Sequence, residues 1–300
     1  MSPYARLLLL AAAVSAAGCG VRPRAGPKID PALALMTPPS AVALAGVRMD
    51  AVRTTGFYQR HVAARALPFL DEFAARTGLN PRTEVWEILF VFEPAGSVAL
   101  VRGKFSSGFG GLEPRILEGA PRTAYKGYTL IGDEHAAIAF VNSSTAVTGP
   151  APAVRAVLDR RAESRGIPAA LEEQIRRLPP GAQVWAAAVG GFGALPVPRE
   201  GNWANLAKVL AALESGAASL DLSRGAEFSA RGVCASEPEA RRLQDALNGL
   251  LGLARLAAPR LRPELQRFYD SLRIRAEGRD LLLDAALSGE LVEELIPMIR

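Results

Sequence analysis

The chain has little of what enzymes most often use. Among its 300 residues are two cysteines, two histidines and four lysines, and aromatic residues make up 6%. Acyl transfer by a serine–histidine–aspartate arrangement needs a base beside the nucleophile, so only His61 and His135 come into question. His61 falls on a predicted helix whose apolar face it partly shares. His135 stands in Asp133-Glu134-His135, a predicted hairpin turn, with Ser143 and Ser144 one strand away. A packed histidine and a solvated turn account for both. No Gly-x-Ser-x-Gly elbow is present, and without His-x-His or Cys-x-x-Cys there is no ligand set for zinc. The glycine-rich stretch Ser106 to Gly111 lacks the Gly-Lys-Ser/Thr end of a phosphate loop. These absences point away from catalysis, and no cofactor or metal is expected. No apolar run reaches the roughly twenty residues that a membrane-crossing helix needs.

What is there begins at the N-terminus. In MSPYARLLLLAAAVSAAGCG, the α-amine and Arg6 precede an eleven-residue apolar run, Leu7 to Ala17, which is the layout of a signal peptide over residues 1–18. Ala16-Ala17-Gly18-Cys19 resembles the lipobox of bacterial lipoproteins, with Ala16 where the family usually carries Leu. The resemblance covers residues 1–20. It implies a mature chain that begins at Cys19 with a diacylglycerol thioether and an amide-linked acyl chain such as palmitate. At about 0.8 kcal/mol per buried methylene, several chains make a lasting membrane anchor. The place is then the bacterial envelope, facing the periplasm. Gly20, rather than Asp, after the cysteine favours the outer membrane over the inner.

Lipidation of Cys19 leaves Cys234 alone, so the fold expects no internal disulfide. Cys234 lies in an apolar alternation and reads as a buried structural thiol. The net charge is +5, but the pairs Arg160-Arg161, Arg176-Arg177 and Arg241-Arg242 stand among acids on predicted solvated helix faces, and no nucleic-acid partner is expected. Residues 20–39 contain five prolines and no helical periodicity, and with Cys19 they read as a lipidated tether over 19–39.

Beyond the tether the chain looks built twice. VRGKFSS, Val101 to Ser107, returns as ARGVCAS, Ala230 to Ser236, with the Arg-Gly pair in register. Pro38-Pro39 and Pro179-Pro180 each open an apolar strand. Each strand leads to a helix (about 57–77 and 202–213), a strand pair (84–93 with 97–105, 217–222 with 226–235), a further helix (112–118, and one capped by Ser236), a second strand pair after Tyr125 or Tyr269, and a closing helix (151–164, 290–299). The fold class is α+β: two similar halves, 40–165 and 166–300, each strand-helix-strand-strand-helix-strand-strand-helix, with mainly antiparallel sheet packed with helices. Ile88 to Phe92 and Ala136 to Val141 are apolar on both faces and need cover on both. Phe105 and Phe109 flank the glycine-rich stretch, and Trp203 follows a proline-bearing loop; these three mark a candidate docking site. Two readings follow: a membrane-tethered, non-enzymatic binding or scaffold protein for a protein or envelope component, or a carrier or sensor of a lipid-like apolar ligand held between sheet and helices.

Overall fold

The computed structural model describes residues 26–63, 65, 71, 74, 80–105, 119–161, 163, 165–190 and 211–295. Its framework is one antiparallel sheet of twelve strands: β1 (Ala43–Arg48), β2 (Val85–Glu93), β3 (Gly96–Gly103), β4 (Arg122–Tyr125), β5 (Tyr128–Gly132), β6 (Ala137–Asn142), β7 (Thr145–Gly149), β8 (Val184–Val189), β9 (Leu213–Asp221), β10 (Gly225–Cys234), β11 (Arg273–Glu277) and β12 (Asp280–Ser288). The spatial order is β11-β12-β10-β9-β8-β1-β2-β3-β7-β6-β5-β4. The strands that follow the two double prolines meet at its middle, where β1 pairs β8 with Leu44 opposite Ala187 and Gly46 opposite Trp185. A Cβ on Gly46 would lie 2.3 Å from the indole. Glycine there lets Trp185 lie across the strand, leaving it 2% exposed.

Outward from that junction one arm runs β2, β3, β7, β6 and the other β9, β10, β12, β11. The strand pair expected after Tyr125 is in fact four strands, because β4 and β7 join β5 and β6. It is β7 that lies against β3, as β12 lies against β10. Lys126 (φ 48°) and Gly127 (φ 83°) form the two-residue turn between β4 and β5, with the positive φ pair that suits the strand twist.

Helices α1 (Pro31–Met36), α2 (Ala151–Arg160) and α3 (Ala169–Arg176) cover one face of the sheet. Leu33, Val154, Val157, Leu171 and Ile175 pack there on Leu44, Leu89, Val91, Leu100, Ala139 and Val147. Trp185, Ala187 and Ala217 from beyond residue 166 belong to the same core, so the two predicted segments share one sheet and one interior. The long helix α4 (Glu237–Leu261) lies against the opposite face, over Cys234, Leu281, Ile274 and Ala276. Helices α5 (Pro263–Ser271) and α6 (Gly289–Leu295) complete that side.

Two expectations change. The tether reading of 19–39 fails from Gly26 onward: Asp30 caps α1, Pro31 supplies its first turn, and Leu33 and Met36 are 0% and 5% exposed. Leu213, expected as the last residue of the helix 202–213, instead opens β9, and residues 202–210 lie outside the described residues.

Candidate functional site

The Arg-Gly pairs fall on third strands counted outward from the junction, β3 and β10. The pairing registers place Arg102 and Arg231 on one face of the sheet and Gly103 and Gly232 on the other. Both glycines are held by close approach: a Cβ on Gly103 would stand 2.5 Å from the Glu84 carbonyl oxygen, and one on Gly232 would stand 2.5 Å from Leu213.

Around Arg102 the face is closed by the N-terminal segment. Arg102 Nε donates to Asp30 Oδ2 at 2.9 Å, and its Nη1 donates to Ser144 Oγ at 2.6 Å and Thr145 Oγ1 at 2.7 Å. Asp30 uses its other oxygen to accept from Ala32 N at 2.8 Å, and its own backbone N–H is shared between the Glu87 oxygens at 3.1 and 3.2 Å. Burial pushes Glu87 up to about 7, against the lowering effect of the Asp30 N–H and the nearby Arg48, with the Asp30 and Asp50 carboxylates adding to the rise. Gly26 continues the contact, where a Cβ would come within 2.1 Å of the Ile175 carbonyl oxygen. Residues 26–36 therefore form a strap laid over the sheet.

Around Arg231 the same face is open. A groove of about 270 Å³ runs between the end of α3 and the sheet, lined by Gln174, Arg177, Ser229, Arg231, Arg275 and Asp284 among others. Arg231 pairs with Asp280 across β10 and β12, and its side chain is 42% exposed against 19% for Arg102. Its Nε is buried without a hydrogen-bond partner among the described residues. Arg275 pairs with Asp284 at 2.9 Å and Glu277 at 3.2 Å, and Ser229 Oγ donates to Asp284 at 2.9 Å. Gln174 is 7% exposed yet makes one long hydrogen bond, from Nε2 to Ser215 Oγ at 3.4 Å. A second groove of about 390 Å³ adjoins the first through Pro179, Ser229 and Asp284. It carries Asp221 and Glu227, directly opposite each other on β9 and β10, together with Phe228. Like charges so placed repel and gain from a cation between them.

Of the residues singled out in the sequence, Phe105 is core: it is 3% exposed and meets Phe140 edge-on at 5.4 Å. A side chain packed this way offers nothing to a docking partner. Phe109, Trp203 and Cys19 lie outside the described residues, as do Ala64, Leu67, Phe69, Leu70 and Phe73 of the first predicted helix. Cys234 is fully buried, and burial pushes its thiol up. His61 packs on Phe57 at 5.3 Å with Nε2 3.8 Å from Glu293, while His135 sits exposed and donates its backbone N–H to Asp133. Among the described residues no three His, Cys, Asp or Glu are grouped to hold a metal ion, and no helix is long and apolar enough to cross a membrane. The grooves and the strap are what residue-by-residue reading missed. The repeated Arg-Gly pair was their one visible sign.

No protein family and no curated protein matches the chain. Solved structures do. Crystal form III of TP0453 is 13% identical, with 90% of this chain and 99% of that chain covered and a TM-score of 0.51. The likeness is one of fold. Crystal form I of TP0453 is 12% identical over 91% of this chain and 98% of that one, at a TM-score of 0.47.

Proposed function

We propose that the protein is a lipid-anchored component of the bacterial envelope whose body, a duplicated α+β unit, works as a binding or scaffold module rather than as a catalyst. The strap carries this reading. The lipobox-like Ala16 to Cys19 places the acylated residue seven positions before Gly26, where the chain joins the body. Even fully extended, seven residues span at most about 25 Å, so the anchor holds the body close to the bilayer rather than on a long leash. The matching strand orders on either side of β1 and β8 support the duplication, and Gly20 supports the outer membrane.

Growth of an expressing strain with labelled palmitate, followed by membrane fractionation, tests the anchor. The wild type incorporates label and sediments with outer-membrane vesicles, and Cys19→Ala does neither. Label that persists in Cys19→Ala, or a wild type that takes none, removes the anchor from the account.

The apolar-ligand reading has one observation in its favour. Trp86 and Phe90 on β2 and Phe228 on β10 point to the same face of the sheet and are 36–40% exposed. Organic extraction of the purified protein, with lipid at near-equal stoichiometry, would promote it; a lipid-free extract would retire it.

A further inference from the structure

We propose that the second groove binds the primary ammonium group of a small organic molecule, held between Asp221, Glu227 and Ser219. The inference rests on the binding-module reading and names its ligand's chemistry; it does not depend on the anchor.

The strand registers bring these three side chains together. Asp221 stands directly opposite Glu227, and Ser219, two residues before Asp221, shares their face and lies opposite Ser229. All three line one groove of about 390 Å³, the size of a small-molecule pocket. Ser219 is 4% exposed, and its hydroxyl has no hydrogen-bond partner among the described residues. Unlike Arg231 Nε, that oxygen is not sealed from solvent: it opens on the groove. A hydroxyl left unbonded in so buried a place carries a cost that an incoming donor removes. Glu227 is exposed and forms no ion pair among the described residues. Asp221 is held by neutral donors, Gln183 Nε2 at 3.0 Å and the Ser223 N–H at 2.8 Å, and Arg224 is near it without forming an ion pair. Two carboxylates therefore face each other with no cation between them. The other acids of the groove are already paired, Asp284 with Arg275 at 2.9 Å and Asp270 with Arg255 at 3.1 Å.

The number of acceptors selects the ligand. An alkylammonium carries three N–H donors, one for each carboxylate and one for the hydroxyl. A calcium ion takes about six to eight oxygens, and among the described residues no three acids are grouped to hold a metal ion. Pro179, Ala182 and Ala286 supply an apolar wall for the ligand's carbon chain. Arg273, on the outermost strand β11, lines the far side of the same groove and forms no ion pair among the described residues. It repels a second ammonium group and accepts a carboxylate at the ligand's other end.

The probe is 6-aminohexanoate, titrated into the full-length protein in non-ionic detergent at pH 7 and followed by saturation-transfer NMR. Saturable binding is expected. Glu227→Gln, at an exposed position where the melting temperature should hold, weakens it about tenfold through the loss of a charge-assisted hydrogen bond, and Ser219→Ala weakens it about threefold. The same chain with its amine acetylated does not bind. Absence of saturable binding, equal binding of the acetylated chain, or indifference to either substitution would each overturn the proposal. Displacement of the probe by calcium at a similar concentration would also overturn it, leaving a metal site. A failed palmitate label with intact amine binding would sink the anchor and spare the groove, and a normal label without amine binding would do the reverse.

Discussion

Arg102 and Arg231 begin from the same local sequence and end in opposite circumstances. Each precedes a glycine with a neighbour packed close against it, the Glu84 carbonyl at Gly103 and the Leu213 side chain at Gly232, and each occupies the third strand from the centre of one sheet. One is closed under a strap and held by Asp30, Ser144 and Thr145; the other lines an open groove and leans on Asp280. The difference comes from what the rest of the chain lays over the arginine. A strand motif sets where a guanidinium stands, and a segment remote in sequence decides whether it is structural or available.

The comparison can be broken most severely at the strap's apolar anchor. Leu33 is fully buried, so Leu33→Ala should cost about 3 kcal/mol; a thermal scan would register the loss, and hydrogen exchange would find residues 30–36 unprotected. Next comes Arg102→Ala, which leaves the partly buried Asp30 carboxylate without its cation. About 2 kcal/mol is expected, read as a lower midpoint in urea, and retention of the wild-type midpoint would mean that the strap is held by Leu33 and Met36 alone.

The acid under the strap gives a smaller, pH-dependent effect. Glu87 faces Asp30 on the strap, Arg48 on β1 and Arg102 on β3, with Asp50 near by. Its carboxyl is raised from 4.5 to about 7 in the folded state, so between those values the folded protein keeps a proton that the unfolded chain releases. Stability from this group is greatest near pH 4.5, falls as pH rises to about 7 and is level above that. Glu87→Gln should therefore raise the melting temperature at pH 8 and leave it nearly unchanged at pH 4.5; an equal gain at both would place the effect elsewhere. Smallest of all is Arg231→Ala, which removes one ion pair to the partly buried Asp280 where Arg102 holds three acceptors, and about 1 kcal/mol is expected. That contrast with Arg102→Ala, measured in the same urea series, would sharpen the division between a structural arginine and an available one.

Much of the sheet could be read from the sequence because its signals are local. The apolar runs around Ile88 to Phe92 and the turn at Pro94 to Gly96 place β2 and β3 within a residue or two of their true ends, and Ser236 does open the long helix. Leu250, Leu253 and Leu256 of that helix are exposed, with Leu250 at 52%. The strand β7 was missed because Thr145 to Gly149 is short and threonine-rich, and its burial depends on β3 and β6 closing around it. The strap was missed for a different reason. Asp30-Pro31 is a helix start, but the count of nearby prolines outweighed it, and the partners that hold it, Glu87 and Arg102, lie 57 and 72 residues away. Such contacts have no signature in spacing. The open groove is less legible still, since Gln174, Arg231 and Arg275 come together only when α3 and β10 to β12 are in place.

The strap also determines how the molecule bears tension. A pull on its N-terminus enters the sheet at Glu87 and Arg102, on β2 and β3, which have neighbours on both sides, whereas the outermost strands β4 and β11 carry none of it directly. Load applied there shears several hydrogen bonds and an ion pair at once instead of peeling an edge strand one bond at a time. A molecule held by that end would hang from near its middle, and the strap should tear away before the sheet begins to unravel.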